Sequence, residues 1–121
     1  MSKRILVVED EEDNRRIVRD LLTSVGYEII EAVTGEDGVT AAETHVPGLI
    51  LMDIQLPGLN GYEATRRIKA NPTLRHIPII VVTSYALSGD DVKAFEAGCD
   101  AYISKPFSPR ALLAKVREYL P

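Results

Sequence analysis

The chain has one cysteine, two histidines and no uninterrupted apolar stretch long enough to span a bilayer. A lone Cys99 cannot close an internal disulfide, and a reducing compartment suits it. No basic start leads into an apolar run, so no secretory leader is read, and the chain is expected to be cytoplasmic without membrane insertion. Fourteen basic against 18 acidic residues leave a formal charge of −4, not the basic footprint that direct nucleic-acid binding needs. Arg66-Arg67-Ile68-Lys69 is a local basic stretch that reads as a solvated helix face. His45 and His76 stand isolated in loop-like contexts and read as surface residues rather than ligands or bases. Enzyme signatures are missing too. There is no G-x-G-x-x-G after the first strand, no G-x-x-x-x-G-K-[ST] and no G-x-S-x-G elbow.

What is present is a run of short apolar segments, each ending in a chemically useful residue. Leu49-Ile50-Leu51-Met52 ends in Asp53 and lies between Pro47-Gly48 and Pro57-Gly58. Consecutive apolar residues over so short a run fit a strand buried on both faces of a parallel sheet. Ile5-Leu6-Val7-Val8 ends in Glu9-Asp10, Ile79-Ile80-Val81-Val82 in Thr83-Ser84, and Ala101-Tyr102-Ile103-Ser104 in Lys105. Open α/β sheets place their ligands at the carboxyl ends of the strands, so acids, hydroxyls and a cation collect at one rim.

In chain order, the pattern predicts strands at 4–9, 27–32, 48–53, 77–82 and 101–104. Helices are expected over 14–25, 35–44, 61–70, from about Ser88 to Ala97, and from Ser108-Pro109 to the end. Ile17, Val18, Leu21, Leu22 and Val25 form an apolar stripe at helical spacing in the first helix, which Gly26 stops. Asn71-Pro72 ends the third helix, because a residue before proline avoids the helical region. Ser108-Pro109 is a strong cap and first-position pair. Five strands alternating with five helices indicate an α/β fold, a parallel sheet wrapped on both faces. The most apolar strands, the first, third and fourth, belong in the centre. The order is then 2-1-3-4-5, the flavodoxin-like doubly wound arrangement. At 121 residues with 45% hydrophobic and 26% charged positions, residues 1–121 read as one domain with its own core.

Glu9 or Asp10 beside Asp53 is a costly combination. At about 4 Å and an effective dielectric near 20, each like-charge pair costs roughly 4 kcal/mol. One acid stays protonated, or a cation joins them. Clustered carboxylates with spare positions suit Mg²⁺, which takes one or two carboxylates, water and a phosphate. Asp53 is then a plausible nucleophile toward phosphorus, with Lys105 and the Thr83 hydroxyl as partners for the phosphoryl oxygens.

At these residues the sequence resembles the receiver domain of bacterial two-component response regulators, along essentially the whole chain. The matching motifs are Glu9-Asp10, Asp53 with Ile54-Gln55-Leu56-Pro57 and Gly61 beyond, Thr83-Ser84, and Lys105-Pro106. In wording the closest resemblance is to single-domain cell-cycle regulators of α-proteobacteria. The resemblance implies that Asp53 receives a phosphoryl group from a sensor histidine kinase or histidine phosphotransfer protein. It also implies that Asp10, Asp53 and the Gln55 carbonyl ligate Mg²⁺, with Glu9 acting through water. Thr83, Ser84 and Lys105 would contact the phosphoryl group, and the bond preceding Pro106 would be cis. Thr83 and Tyr102 would form a switch pair that alters the face of helix 4, strand 5 and helix 5 for a downstream protein partner. Gln55 and Tyr85 would tune dephosphorylation. The chain ends with helix 5, which favours a stand-alone receiver over a fragment of a hybrid sensor kinase. It is not expected to be a turnover enzyme, since an aspartyl-phosphate phosphatase wants an acid where Gln55 stands. A constitutive, unphosphorylated interaction module is the other alternative, and the intact acid, hydroxyl and lysine set weighs against it.

Overall fold

The computed structural model describes residues 3–84 and 90–121. Among these residues, ten elements alternate between strand and helix. These are β1 (Arg4–Val8), α1 (Glu12–Ser24), β2 (Glu28–Ala32), α2 (Gly35–His45), β3 (Leu49–Asp53), α3 (Gly61–Ala70), β4 (Ile79–Thr83), α4 (Asp90–Ala97), β5 (Ala101–Ser104) and α5 (Pro109–Tyr119). All strand pairs are parallel, in the order β2-β1-β3-β4-β5. Every residue of β3 and β4 is buried, whereas the edge strand β2 keeps Glu28 exposed and its middle half-buried. The five-stranded, doubly wound α/β arrangement read from the sequence is therefore the one found.

Successive strand side chains point to opposite faces, so each strand feeds two cores. Ile5, Val7, Leu49, Leu51, Ile80 and Ala101 meet Leu22 of α1 and Leu112 and Val116 of α5. Leu6, Val8, Ile50, Met52, Ile79 and Val81 meet Ala42 of α2, Ala64 and Ile68 of α3, and Ala94 of α4. Each of the fully buried Leu or Ile side chains contributes about 1.5–3 kcal/mol. Caps fix the helix starts on that sheet. The Thr34, Asn60 and Ser108 side chains accept from the N–H groups of Asp37, Glu63 and Ala111. Gly26, at φ 99°, carries the chain out of α1 in a conformation that other residues avoid.

Some expectations shift. Helix α1 begins at Glu12 rather than at residue 14, which places Glu12 and Asp13 in its first turn. Strand β1 ends at Val8 and β2 begins at Glu28. Strand β4 begins at Ile79, because the N–H of Ile77 turns back to the Leu74 carbonyl and Pro78 has none to give. Of the α1 stripe only Leu22 is fully buried, while Ile17 is 59% and Val25 38% exposed. Ser88, expected to cap α4, and Tyr85, expected to tune dephosphorylation, lie outside the described residues.

Candidate functional site

The alternation that builds the two cores also sorts the rim. Glu9 continues the Ile5–Val7 row, Asp53 the Leu49–Leu51 row, and Lys105 the Ala101–Ile103 row, so all three fall on the α1/α5 side. Thr83 continues the Ile79–Val81 row and Tyr102 packs with that same core, both on the α4 side. Two groups of sequence-predicted residues thus separate by parity alone.

On the first side the Lys105 ammonium lies between two carboxylates, 2.9 Å from Glu9 Oε1 and 3.1 Å from Asp53 Oδ2. Glu9 and Asp53 are each only 7% exposed. Asp10 is exposed beside them, and one oxygen from each of Glu9, Asp10 and Asp53 falls within 4.8 Å of the others. The free lone pairs are partly met by backbone. Glu9 Oε2 accepts from the Glu11 N–H at 3.3 Å, and Asp53 Oδ1 from the Gln55 N–H at 3.3 Å. Burial, together with the Asp53 side chain, pushes the Glu9 carboxyl above its ordinary value despite the nearby ammonium. For Lys105, burial alone would lower the ammonium, but its bonds to Glu9 and Asp53 and their charge outweigh it and hold it above its ordinary value. One lysine therefore stands in for the cation that three clustered acids call for. Hard oxygen donors, one of them open to water, are the donor set that Mg²⁺ prefers.

The backbone sets these distances. Asp53 ends a strand paired on both sides, and the Gly61 N–H at the start of α3 donates to the Ile54 carbonyl at 3.0 Å. A Cβ on Gly61 would stand 2.1 Å from the Asp53 carbonyl oxygen, so only glycine lets α3 come this close. The Lys105 N–H donates to the Thr83 carbonyl at 2.7 Å, extending the β4–β5 pairing to the lysine, and the following bond to Pro106 is cis. Gln55 and Ser84 are both exposed and line the open cleft that holds Glu9, Asp10, Asp53 and Lys105.

On the other side Thr83 is 1% exposed, and Tyr102 is half-buried with its ring edge-on to Phe95 of α4, centroids 6.3 Å apart. Phe95 and Val92 remain about half exposed on that helix, at 49% and 56%.

Two features went unread in the sequence. An apolar groove of about 550 Å³ runs from Lys105 and Asp53 between α1 and the β5–α5 loop, walled by Ile17, Val18, Pro106, Phe107 and Leu112. Its signal in the sequence is Ile17, one of the apolar stripe of α1, which is 59% exposed. The second feature is Arg15, whose guanidinium reaches the Glu9 carbonyl at 3.0 Å and Glu31 of β2 at 2.9 Å.

Comparison with known proteins adds to this geometry. Residues 5–117 match the family described as the response regulator receiver domain. The polar-differentiation response regulator DivK of Brucella ovis is 44% identical over 120 residues, which cover 99% of this chain and 98% of that protein. Among solved structures, the receiver domain of a sensor histidine kinase from Pseudomonas aeruginosa PAO1 superposes with a TM-score of 0.92 at 37% identity, covering 99% of this chain and 98% of that one. That structure has a magnesium ion coordinated in its active site cleft. A CheY-like receiver domain protein from Methanospirillum hungatei gives a TM-score of 0.91 at 36% identity over 99% of this chain and 94% of that one.

Proposed function

Because the chain belongs to the response regulator receiver domain family, we propose that it is a phosphorylation switch in which Asp53 accepts a phosphoryl group from a phosphohistidine donor. The observation that carries this reading is the Lys105 ammonium held between Glu9 and Asp53, with Asp10 alongside. In the transfer, an Asp53 carboxylate oxygen attacks phosphorus, the P–N bond to the donor imidazole breaks, and the electron pair leaves with that nitrogen. The transition state spreads negative charge over three equatorial oxygens. The Lys105 ammonium, 3.1 Å from Asp53, would meet one of them, and Thr83 and Ser84 at the adjacent strand end would contact the others. Asp10, Asp53, the Gln55 carbonyl and, through water, Glu9 are the residues we assign to Mg²⁺. When bound, it supplies the charge neutralisation that lets these acids and a phosphoryl group share one rim.

The product adds about −1.5 to −2 charges at Asp53. Thr83 is then drawn toward the new oxygens, and Tyr102, which shares its side of the sheet, turns inward behind it. The α4–β5–α5 face with Phe95 and Val92 is the surface this change alters for a downstream protein. Gln55 and Tyr85 are the residues we assign to tuning phosphoryl loss, and a half-life of only seconds would count against their shielding it. The donor, a sensor histidine kinase or histidine phosphotransfer protein, approaches along the groove beside Ile17 and Phe107, which opens onto Asp53. The chain works as a single receiver domain, residues 1–121, in the cytoplasm, turning over no substrate other than its own aspartyl phosphate. No helix among the described residues is long and apolar enough to cross a membrane.

Intact-mass measurement after incubation with acetyl phosphate and Mg²⁺ tests the proposal. Wild type should gain one phosphoryl group, and Asp53→Asn or added chelator should prevent it. No gain in wild type, with a phosphohistidine donor also present, would leave a constitutive interaction module as the better account.

A further inference from the structure

We propose that Arg15 is a positioning residue for the metal-binding acids, tying the Glu9 carbonyl to Glu31 of the edge strand and so holding the β1–α1 loop that presents Asp10. The inference rests on the Mg²⁺ reading above and adds a residue that touches neither metal nor phosphoryl group. Arg15 is a helix residue only 15% exposed in its side chain, so it is not a solvated surface cation. Its Nη1 donates to the Glu9 carbonyl at 3.0 Å while its Nε donates to Glu31 Oε1 at 2.9 Å. Glu31 is steadied in turn by Arg19, whose Nη1 lies 3.2 and 3.3 Å from its two oxygens. The N–H of Glu9 meanwhile donates to the Ala32 carbonyl at 3.0 Å. Both backbone groups of Glu9 are therefore tied toward β2, the carbonyl through Arg15 and the N–H directly. The exposed Asp10 side chain takes its place from this backbone.

The planar fork of a guanidinium suits this bridge, since two N–H groups point to two acceptors in fixed geometry. A lysine keeps the charge and loses the fork. Electrostatics makes an opposing demand, which gives the test its power. Removing a cation held against the Glu9 backbone, beside the acidic cluster, should by itself tighten binding of Mg²⁺. Losing the positioned loop should weaken it.

Titration of Mg²⁺ alone into the metal-free protein by calorimetry separates the two. Arg15→Ala should weaken affinity about tenfold, the low end of what is lost when groups that orient metal ligands are removed. Arg15→Lys should also weaken it, although the charge is unchanged. Arg19→Ala, which loosens Glu31 without touching the loop, should stay within about twofold of wild type, as a surface ion pair predicts. Unchanged or tighter binding in Arg15→Ala overturns the proposal, as does full rescue by lysine, because either result leaves Arg15 as a charge rather than a positioner. Should Arg15→Ala fail to fold, Arg15→Lys alone decides. Asp10→Asn keeps the two readings apart. If wild type binds no Mg²⁺, or Asp10→Asn binds as well as wild type, the metal reading itself falls and this inference with it.

Discussion

Glu9 is where the electrostatic tension of the site shows most clearly. Its carboxyl is held above the ordinary value of 4.5, chiefly by burial and by the neighbouring Asp53. A folded-state value above the unfolded one means that the native protein binds the proton more tightly. Between 4.5 and the raised value, stability therefore falls as pH rises, the reverse of ordinary acid denaturation. In chelator, Glu9→Gln should melt at a higher temperature than wild type at pH 7, and the difference should shrink as pH drops toward 4.5. Equal melting temperatures across that range would show that Glu9 is unstrained. Lys105 follows the same sign at the other end of the scale: its value is raised above 10.5, so the stability its pairing contributes is fully present below 10.5 and is lost as pH climbs through the raised value. Glu9, Asp10, Asp53 and Lys105 were legible in the sequence because each follows an apolar run and strand ends share a rim. Arg15 was not, because its partners are a backbone carbonyl and an acid from another strand, and neither leaves a local pattern. Cys99 is a buried thiol pushed up to about 11, which marks it as packing rather than chemistry.

At the scale of elements, α3 does the most to place Asp53. Gly61→Ala would drive a methyl group into the Asp53 carbonyl, and overpacking of this kind costs about 1–3 kcal/mol. We expect a lower melting temperature together with slower phosphorylation of Asp53 by acetyl phosphate. A variant that melts lower but phosphorylates at the wild-type rate would mean that the α3 contact supports the fold alone. One turn further on, the hydroxyl of the fully buried Thr65 has no hydrogen-bond partner among the described residues. Thr65→Val, which keeps the shape and removes the polar atom, should stabilise the protein by about 1 kcal/mol in denaturant unfolding, and a loss of stability would reveal a partner for the hydroxyl. Element existence and order were readable from periodicity and caps. Boundaries were not always so. The apolar Ile77 is buried like a strand residue. Its N–H is engaged in a turn, and composition carries no trace of that bond. Ile17 fits helical spacing but lines a groove and is largely exposed.

The whole molecule joins these parts into a device with two sides. Glu9, Asp53 and Lys105 face the α1/α5 layer, where on the proposed reading a donor would reach them, while Thr83 and Tyr102 face α4, where a partner would read them. The topology that separates them was visible as five alternating strands and helices, but the groove was not, since it arises between distant segments. Placing a charge in its wall tests the groove's role. Ile17→Glu should slow transfer from a phosphorylated histidine phosphotransfer domain about tenfold, equivalent to ~1.4 kcal/mol. Phosphorylation by acetyl phosphate, too small to need the groove, should stay within about twofold of wild type, a change worth under ~0.5 kcal/mol. Equal slowing with both donors would point to damage at Asp53 instead. The central claim is that Asp53 itself carries the phosphoryl group, and borohydride reduction of the phosphorylated protein followed by peptide mass analysis tests it most directly. An acyl phosphate at this position is predicted to yield homoserine at residue 53 in a Mg²⁺-dependent manner. An unaltered Asp53 in protein that has demonstrably gained a phosphoryl group would contradict the account.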